Sequence, residues 1–106
     1  MKNLLLIFSL FLSLISCNQK VANEISVSDT SELIEATKNA KAGDIIVIKN
    51  GTYENVEIVF QGEGTEKEPI ILKAETAGKV YIEGVSSLEI SGNYLNVSGL
   101  FFRNGH

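Results

Sequence analysis

A repeated pattern of short apolar runs and turns is the feature that most restricts how this chain can fold. Ile45, Ile70 and Leu95 each begin an apolar run, and the two intervals between them are equal at 25 residues. In the first unit, residues 45–48 are all β-branched, which favours a pleated strand over a helix. An Asn-Gly pair at residues 50–51 then predicts a turn. A fixed period of this size, made of short strands and turns, is typical of a solenoid.

A second apolar run follows in each unit, at residues 56–60, 80–82 and 100–102. In each run apolar residues at every second position can point inward, while the residues between them, such as Glu57, Tyr81 and Phe101, point outward. The pattern predicts an all-β fold, a right-handed parallel β-helix of which the chain contains the first coils. No long helical stretch separates the strands, which disfavours Rossmann and TIM-barrel folds. A β-sandwich is the structural alternative, and it would need hairpins.

One helix is predicted, over residues 30–40. Asp29 is suited to the N-cap, with Glu32 as its capping-box partner. Leu33 and the apolar residues spaced behind it form one face, and Gly43 is expected to end the helix. A solenoid has an open first coil whose strands invite aggregation, so we expect this helix to cap it.

The N-terminal residues are predicted to form an export signal rather than part of the folded domain. Lys2 precedes an apolar stretch at residues 4–14 that is too short for a stable membrane span. Residues 14–17, Leu-Ile-Ser-Cys, resemble the lipobox of bacterial lipoproteins, which implies lipidation of Cys17 and anchoring to a bacterial membrane. The alternative is an ordinary signal peptide with an incidental cysteine. Residues 18–24 are expected to form a tether, and residues 25–106 the folded domain.

The net charge, the single cysteine and the single histidine exclude several classes of function. The formal net charge is −4 and becomes −5 once Lys2 leaves with the signal, which argues against nucleic acid and anionic membrane surfaces as partners. Cys17 is the only cysteine, so no internal disulfide can form. His106 is the only histidine and the last residue, so the chain cannot build a histidine-based triad or zinc site.

Three segments in a fixed order resemble the N-terminus of polysaccharide lyase family six, the alginate lyase and chondroitinase B family. They are residues 59–65 (VFQGEGT), 69–80 (PIILKAETAGKV) and 94–100 (YLNVSGL). The resemblance covers about residues 25–105 and implies the parallel β-helix of the pectin-lyase type. It also implies the activity of that family, cleavage of alginate or of chondroitin and dermatan sulfate by β-elimination. The chain would then be an N-terminal fragment of a secreted, lipid-anchored lyase.

The family's chemistry is not assigned to residues of this chain. The resemblance implies that calcium neutralises the uronate carboxylate, a lysine removes the C5 proton and an arginine assists the leaving oxygen. Those residues belong to later coils, so we expect no catalytic, cofactor-binding or metal-binding residue here, and the fragment alone to be inactive. Four basic residues have the right types but match no catalytic motif, and are expected at exposed outward positions. They are Lys49, Lys73, Lys79 and Arg103.

Three glutamates and four aromatic residues are further candidates for a binding site. Glu63, Glu66 and Glu68 could suggest calcium, but they lack the spacing of a calcium-loop motif and are expected in a polar surface turn. Four aromatic side chains could form a sugar-stacking face, although Tyr53 and Tyr94 are expected to fill coil corners. The four are Tyr53, Tyr81, Tyr94 and Phe101. The competing hypothesis for function is a non-catalytic β-helix surface protein that binds glycan or acts as a stalk.

Overall fold

The computed structural model describes residues 23–103, which form short strands and one helix. The elements are β1 (Asn23–Val27), α1 (Thr30–Lys38), β2 (Asp44–Ile48), β3 (Gly51–Glu54), β4 (Glu57–Glu63), β5 (Ile70–Ala74), β6 (Val80–Glu83), β7 (Ser87–Asn93), β8 (Leu95–Ser98) and β9 (Leu100–Phe102). The first strand thus includes Asn23 and Glu24, which the sequence pattern assigned to the tether. Over residues 23–103 no helix is long and apolar enough to cross a membrane. The predicted export signal, with Cys17, and the last residue, His106, lie outside the described residues.

The strands form three sheets, and every strand pair within residues 23–103 is parallel. Sheet A has the order β1-β2-β5-β8, sheet B has β3-β6-β9, and sheet C has β4-β7. From β2 onward the chain visits sheets A, B and C in the same order, and we call each such passage a circuit. Parallel neighbours cannot be joined by tight hairpins, so the described part is not a hairpin-built β-sandwich. The all-β class is confirmed.

Inward side chains of successive circuits stack directly on one another. In sheet A, Ile46 pairs with Leu72, which in turn pairs with Val97. In sheet C, Phe60 pairs with Ile90. The fully buried members of these stacks belong to one apolar cluster, whereas Val97 is partly buried and Ile90 is 51% exposed. Each large side chain removed fully from water contributes about 1.5–3 kcal/mol. The cluster comprises Val27, Leu33, Ile46, Ile48, Tyr53, Val56, Ile58, Phe60, Ile70, Leu72, Ala74, Val80 and Ile82.

The register of sheet A differs by one residue from the 25-residue period in the sequence. Ile45 pairs with Ile71, not with Ile70. A shift of one residue reverses the face, so Ile45 points outward whereas Ile70 is buried. Asp44 precedes Ile45 and is only 6% exposed. Its Oδ2 accepts a hydrogen bond of 2.9 Å from the backbone N–H of Lys41, so this carboxylate closes the turn before β2.

The pairing of the second apolar runs also differs from the sequence pattern. Strand β6 pairs with β3, whereas the run at residues 56–60 belongs largely to β4 and pairs with β7. The sequence pattern predicted a turn at residues 50–51 and no strand after it, and thereby missed β3. The reason is that β3 buries a single side chain, Tyr53, so it carries almost no apolar signal.

Helix α1 begins as the sequence predicts but ends earlier. The Asp29 side chain accepts a hydrogen bond of 2.8 Å from the Glu32 backbone N–H, which confirms Asp29 as the N-cap. Glu32 in turn accepts from the backbone N–H of Ser28 at 2.8 Å, one residue before the expected partner. The C-cap is Asn39, whose backbone N–H donates to the Glu35 carbonyl, so Gly43 is not the residue that ends the helix.

The helix packs chiefly against β4, on the side of sheet C opposite β7. Leu33 and Thr37 are its buried side chains. The Thr37 hydroxyl donates to the Leu33 carbonyl at 2.8 Å, which satisfies this polar group inside the core. The helix therefore lies beside β4, the first strand of sheet C, and covers part of the apolar core there.

Leu33→Ala should destabilise the protein, because Leu33 is fully buried between the helix and the first circuit. We expect a loss of about 3 kcal/mol in the free energy of unfolding, measured by chemical denaturation of the full chain. Ser31→Ala, at an exposed position of the same helix, is the matched control and should change stability by less than about 0.5 kcal/mol. Equal stabilities of the two variants would show that the helix is tethered rather than packed.

Candidate functional site

The outward face of sheet B carries an aromatic pair. Thr52, Tyr81 and Phe101 occupy equivalent positions on neighbouring strands, pointing away from the core. The rings of Tyr81 and Phe101 meet edge to face, with centroids 5.8 Å apart and an interplanar angle of 64°. Phe101 is 48% exposed. A cross-strand aromatic contact of this type contributes about 0.5–1.5 kcal/mol beyond its area, and here it also keeps an apolar ring at the surface.

Arg103 completes the group. Its guanidinium carbon lies 3.9 Å from the centroid of the Tyr81 ring. Its Nε–H donates to a carboxylate oxygen of Glu83, and the two side chains are 43% and 12% exposed respectively. We call Tyr81, Glu83, Phe101 and Arg103 the sheet B cluster. It presents a fixed cation next to an exposed apolar ring, which suits a ligand with both a carboxylate and an apolar face.

The structure leaves the three lysines at exposed positions. Lys73 lies on β5, whereas Lys49 and Lys79 lie in the connections that lead into sheet B. Those two connections are neighbours, because the Gly51 N–H donates to the Lys79 carbonyl at 3.1 Å. Arg103 is the one of the four basic candidates that the structure brings together with aromatic side chains.

Glu63 at the end of β4 and Glu66 and Glu68 in the connection after it do not form a metal site. Glu63 accepts a hydrogen bond from the Asn93 side chain, and Glu63, Glu66 and Glu68 are exposed. Within residues 23–103 no three or more His, Cys, Asp or Glu side chains are grouped so that they could hold a metal ion. The described residues therefore do not fit the calcium ion that the family resemblance implies.

The two tyrosines that were expected to fill corners behave differently. Tyr53 is buried, and its hydroxyl donates a hydrogen bond of 2.7 Å to the Lys49 carbonyl. Burial raises the pKa of the Tyr53 hydroxyl, and the negative charges of Asp29, Glu32 and Glu75 raise it further. Tyr94 takes a corner backbone conformation with φ of 56°, but its side chain is more than half exposed, so the prediction was wrong for that ring.

On the surface of residues 23–103, grooves lie away from the sheet B cluster. A groove of about 940 Å³ runs between β1 and α1, and its charged lining is mostly acidic, with Glu24, Glu32, Glu35 and Asp44 against Lys41. A depression of about 450 Å³ lies between the end of α1 and sheet C. Neither shares a residue with the sheet B cluster.

A family profile of chondroitinase B matches residues 27–106. This chain belongs to the chondroitinase B family. Among curated proteins, no sequence matches the chain significantly.

Solved structures support the same membership in polysaccharide lyase family 6. The PL6 family alginate lyase AlyGC is 40% identical, with a TM-score of 0.70 over 76% of this chain. A PL6 family polysaccharide lyase from Pseudopedobacter saltans is 43% identical, with a TM-score of 0.70 over 74% of the chain. A mannuronic acid specific family 6 lyase from human gut microbiota is 37% identical, with a TM-score of 0.68 over 74%. The matches cover only 11%, 18% and 19% of those proteins, so this member of the family corresponds to a small part of each.

Sequence reasoning considered Tyr81, Phe101 and Arg103 separately, did not connect Arg103 with the aromatic pair, and did not consider Glu83. The available signal was spacing: Phe101 and Arg103 are two residues apart, so a strand places them on one face. The missing step was the register of β9 on β6, which puts Phe101 beside Tyr81.

Tyr53→Phe should lower stability by about 1 kcal/mol at pH 7, because it removes the hydrogen bond to the Lys49 carbonyl. In the wild type, the raised pKa of Tyr53 means that the native state keeps a proton that the unfolded chain releases above pH ~10. Stability should therefore fall as the pH rises above that value, and this part of the fall should be absent from Tyr53→Phe.

Denaturant midpoints at neutral and alkaline pH measure both effects. Tyr94→Phe, at an exposed position, is the matched control and should change stability at pH 7 by less than about 0.5 kcal/mol. If the alkaline loss is the same in Tyr53→Phe as in the wild type, Tyr53 is not its source.

Proposed function

We propose that this chain forms the first circuits of a lyase that cleaves uronic-acid polysaccharides by β-elimination. The observation that carries the proposal is the match to family 6 lyases at 37–43% identity over about three quarters of the chain. One of these proteins is described as an alginate lyase and another as mannuronic acid specific, which supports a uronate polymer as substrate.

The proposed architecture is a right-handed parallel β-helix. Its support is the repeated order of sheets A, B and C along the chain, with parallel pairing between circuits. Parallel crossover connections are right-handed in almost all proteins, because a right-twisted strand packs back onto its sheet most readily that way. In such an architecture a polymer can contact several circuits at once.

The chemical step needs groups that residues 23–103 do not bring together. β-Elimination requires a base for the proton at C5, a proton source for the leaving O4, and neutralisation of the uronate carboxylate. When bound, calcium would supply that neutralisation, but the described residues do not hold a metal-binding cluster. We therefore assign the chemistry to residues outside the described part, and assign to this chain the cap and a surface that holds substrate.

The lyase proposal predicts unsaturated uronate products. The longer protein that begins with this sequence should release ultraviolet-absorbing unsaturated uronates from alginate, polymannuronate or dermatan sulfate, and a chelator should suppress this release. Residues 18–106 expressed alone are the control and should release none. Chelator-sensitive product from that segment would refute our placement of the active site. A folded longer protein that is inert on all three polymers would favour the glycan-binding or stalk hypothesis.

We also propose that the protein is exported and anchored to a bacterial membrane through lipid on Cys17. The support is the apolar leader ending in Leu-Ile-Ser-Cys at residues 14–17. A thioether-linked diacylglycerol with a further acyl chain would anchor the protein stably, whereas a single chain would bind reversibly.

Labelled fatty acid fed to the bacterium should appear in the wild-type protein and be lost completely in Cys17→Ala. Ser13→Ala, within the apolar leader, is the matched control and should keep the label. Label retained in Cys17→Ala, or absent from the wild type, would contradict lipidation at this residue.

A further inference from the structure

We propose that the sheet B cluster is a subsite that binds one uronate residue of an acidic polysaccharide, with Arg103 receiving its carboxylate and Phe101 contacting its sugar ring. The inference rests on the proposed function for its substrate class. It adds a binding site on the first circuits, separate from the residues that carry out the elimination.

Arg103 is held in a way that favours carboxylate binding. One face of its guanidinium lies on the Tyr81 ring, and its Nε–H is fixed by the largely buried carboxylate of Glu83. Among residues 23–103 the two Nη nitrogens have no hydrogen-bond partner. An immobilised guanidinium with a free pair of nitrogens can take a carboxylate in a bidentate geometry, and it loses little conformational entropy in doing so.

Phe101 provides the apolar part of the subsite. It is about half exposed, and its edge-to-face contact with Tyr81 fixes the ring next to Arg103. A pyranose has an apolar face of C–H groups, which carry a slight positive charge and are attracted to the negative face of an aromatic ring. A uronate residue could therefore place its C–H face on Phe101 while its carboxylate reaches Arg103.

The spacing between neighbouring strands of sheet B suits a polymer that runs from circuit to circuit across them. Thr52, Tyr81 and Phe101 succeed one another from circuit to circuit, at the distance between neighbouring strands, about 4.8 Å. A pyranose unit is of similar length, so successive sugars can lie over successive circuits. Thr52 offers a hydroxyl at the next position along this line.

Charge decides on which side of Arg103 the carboxylate binds. Glu54 pairs with Glu83 on the outward face, so the earlier circuits present acid there. A uronate carboxylate is thus expected on the side of Arg103 away from Glu83. The chain as a whole carries a net charge of −4, so general electrostatic attraction cannot explain binding of an acidic polymer.

Calorimetric titration of the full chain with oligomannuronate and with dermatan sulfate oligosaccharides tests the subsite. Arg103→Gln and Phe101→Ala should each weaken binding about tenfold, and Arg103→Lys should recover only part of the affinity because it keeps charge but not the bidentate fork. Val85→Ala is the matched control, since Val85 is 85% exposed and outside the cluster, and should bind like the wild type. A neutral cello-oligosaccharide should bind at least about tenfold more weakly than the uronate probes.

A spectroscopic signal separates ligand contact from a stabilising role. The chain has no tryptophan, so its emission comes from tyrosine, and a ligand on Phe101 and Arg103 should change the emission of Tyr81. The change should disappear in Tyr81→Phe and persist in Tyr94→Phe. Melting temperatures of all variants show whether each one is folded.

Several results would overturn the subsite. These are wild-type affinity in both Arg103→Gln and Phe101→Ala, equal binding of the neutral oligosaccharide, and no binding of any uronate oligosaccharide. If sedimentation shows that the wild type is a dimer and that Phe101→Ala is a monomer, the subsite is also overturned, because the cluster would then be a contact between copies. If uronate oligosaccharides bind through the cluster but the longer protein cleaves no uronate polymer, the subsite stands and the lyase function fails.

Discussion

The stacking of each inward side chain on the one in the preceding circuit is the interaction on which this structure depends. Ile46, Leu72 and Val97 form one such line, and Phe60 with Ile90 another. Because side chains alternate with a period of two, the register that buries one set also fixes which residues face solvent. The position of the sheet B cluster is thus decided by the core residues between which its members lie.

The stack needs a first layer, and helix α1 supplies it. The helix is short and would be marginal in isolation, so its stability comes from packing Leu33 and Thr37 against the first circuit. Two hydrogen bonds fix the direction in which the helix leaves β1: the Glu32 backbone N–H donates to the Asp29 side chain, and the Ser28 backbone N–H donates to the Glu32 carboxylate. Close approach also restricts residue choice in sheet C, since a Cβ on Gly92 would lie 1.9 Å from the Gly62 carbonyl oxygen.

Local patterns were sufficient to predict much of this arrangement. Alternation identified which residues of β4, β6 and β8 face inward, and Asp29 marked the helix start. In β9 the expectation fits Leu100, which packs against the core, whereas Phe102 is 44% exposed. The period in the sequence failed at Ile45 because the buried place at the start of β2 is taken by Asp44, a polar residue that apolar patterns do not detect. Strand β3 was missed for a related reason, and the link between Arg103 and Tyr81 required a register that no single strand contains. The sequence could suggest Tyr81, Phe101 and Arg103 as candidates, but not Glu83 and not the contacts among the four.

The alternation along β6 has a consequence for how such a protein can change over evolutionary time. Val80 and Ile82 point into the stack, while Tyr81 between them points out. Substitutions at the inner positions are penalised by the loss of packing, but those at the outer ones are nearly independent of it. In a chain built this way, the outward side chains that contact a ligand can be substituted one circuit at a time without a change of fold.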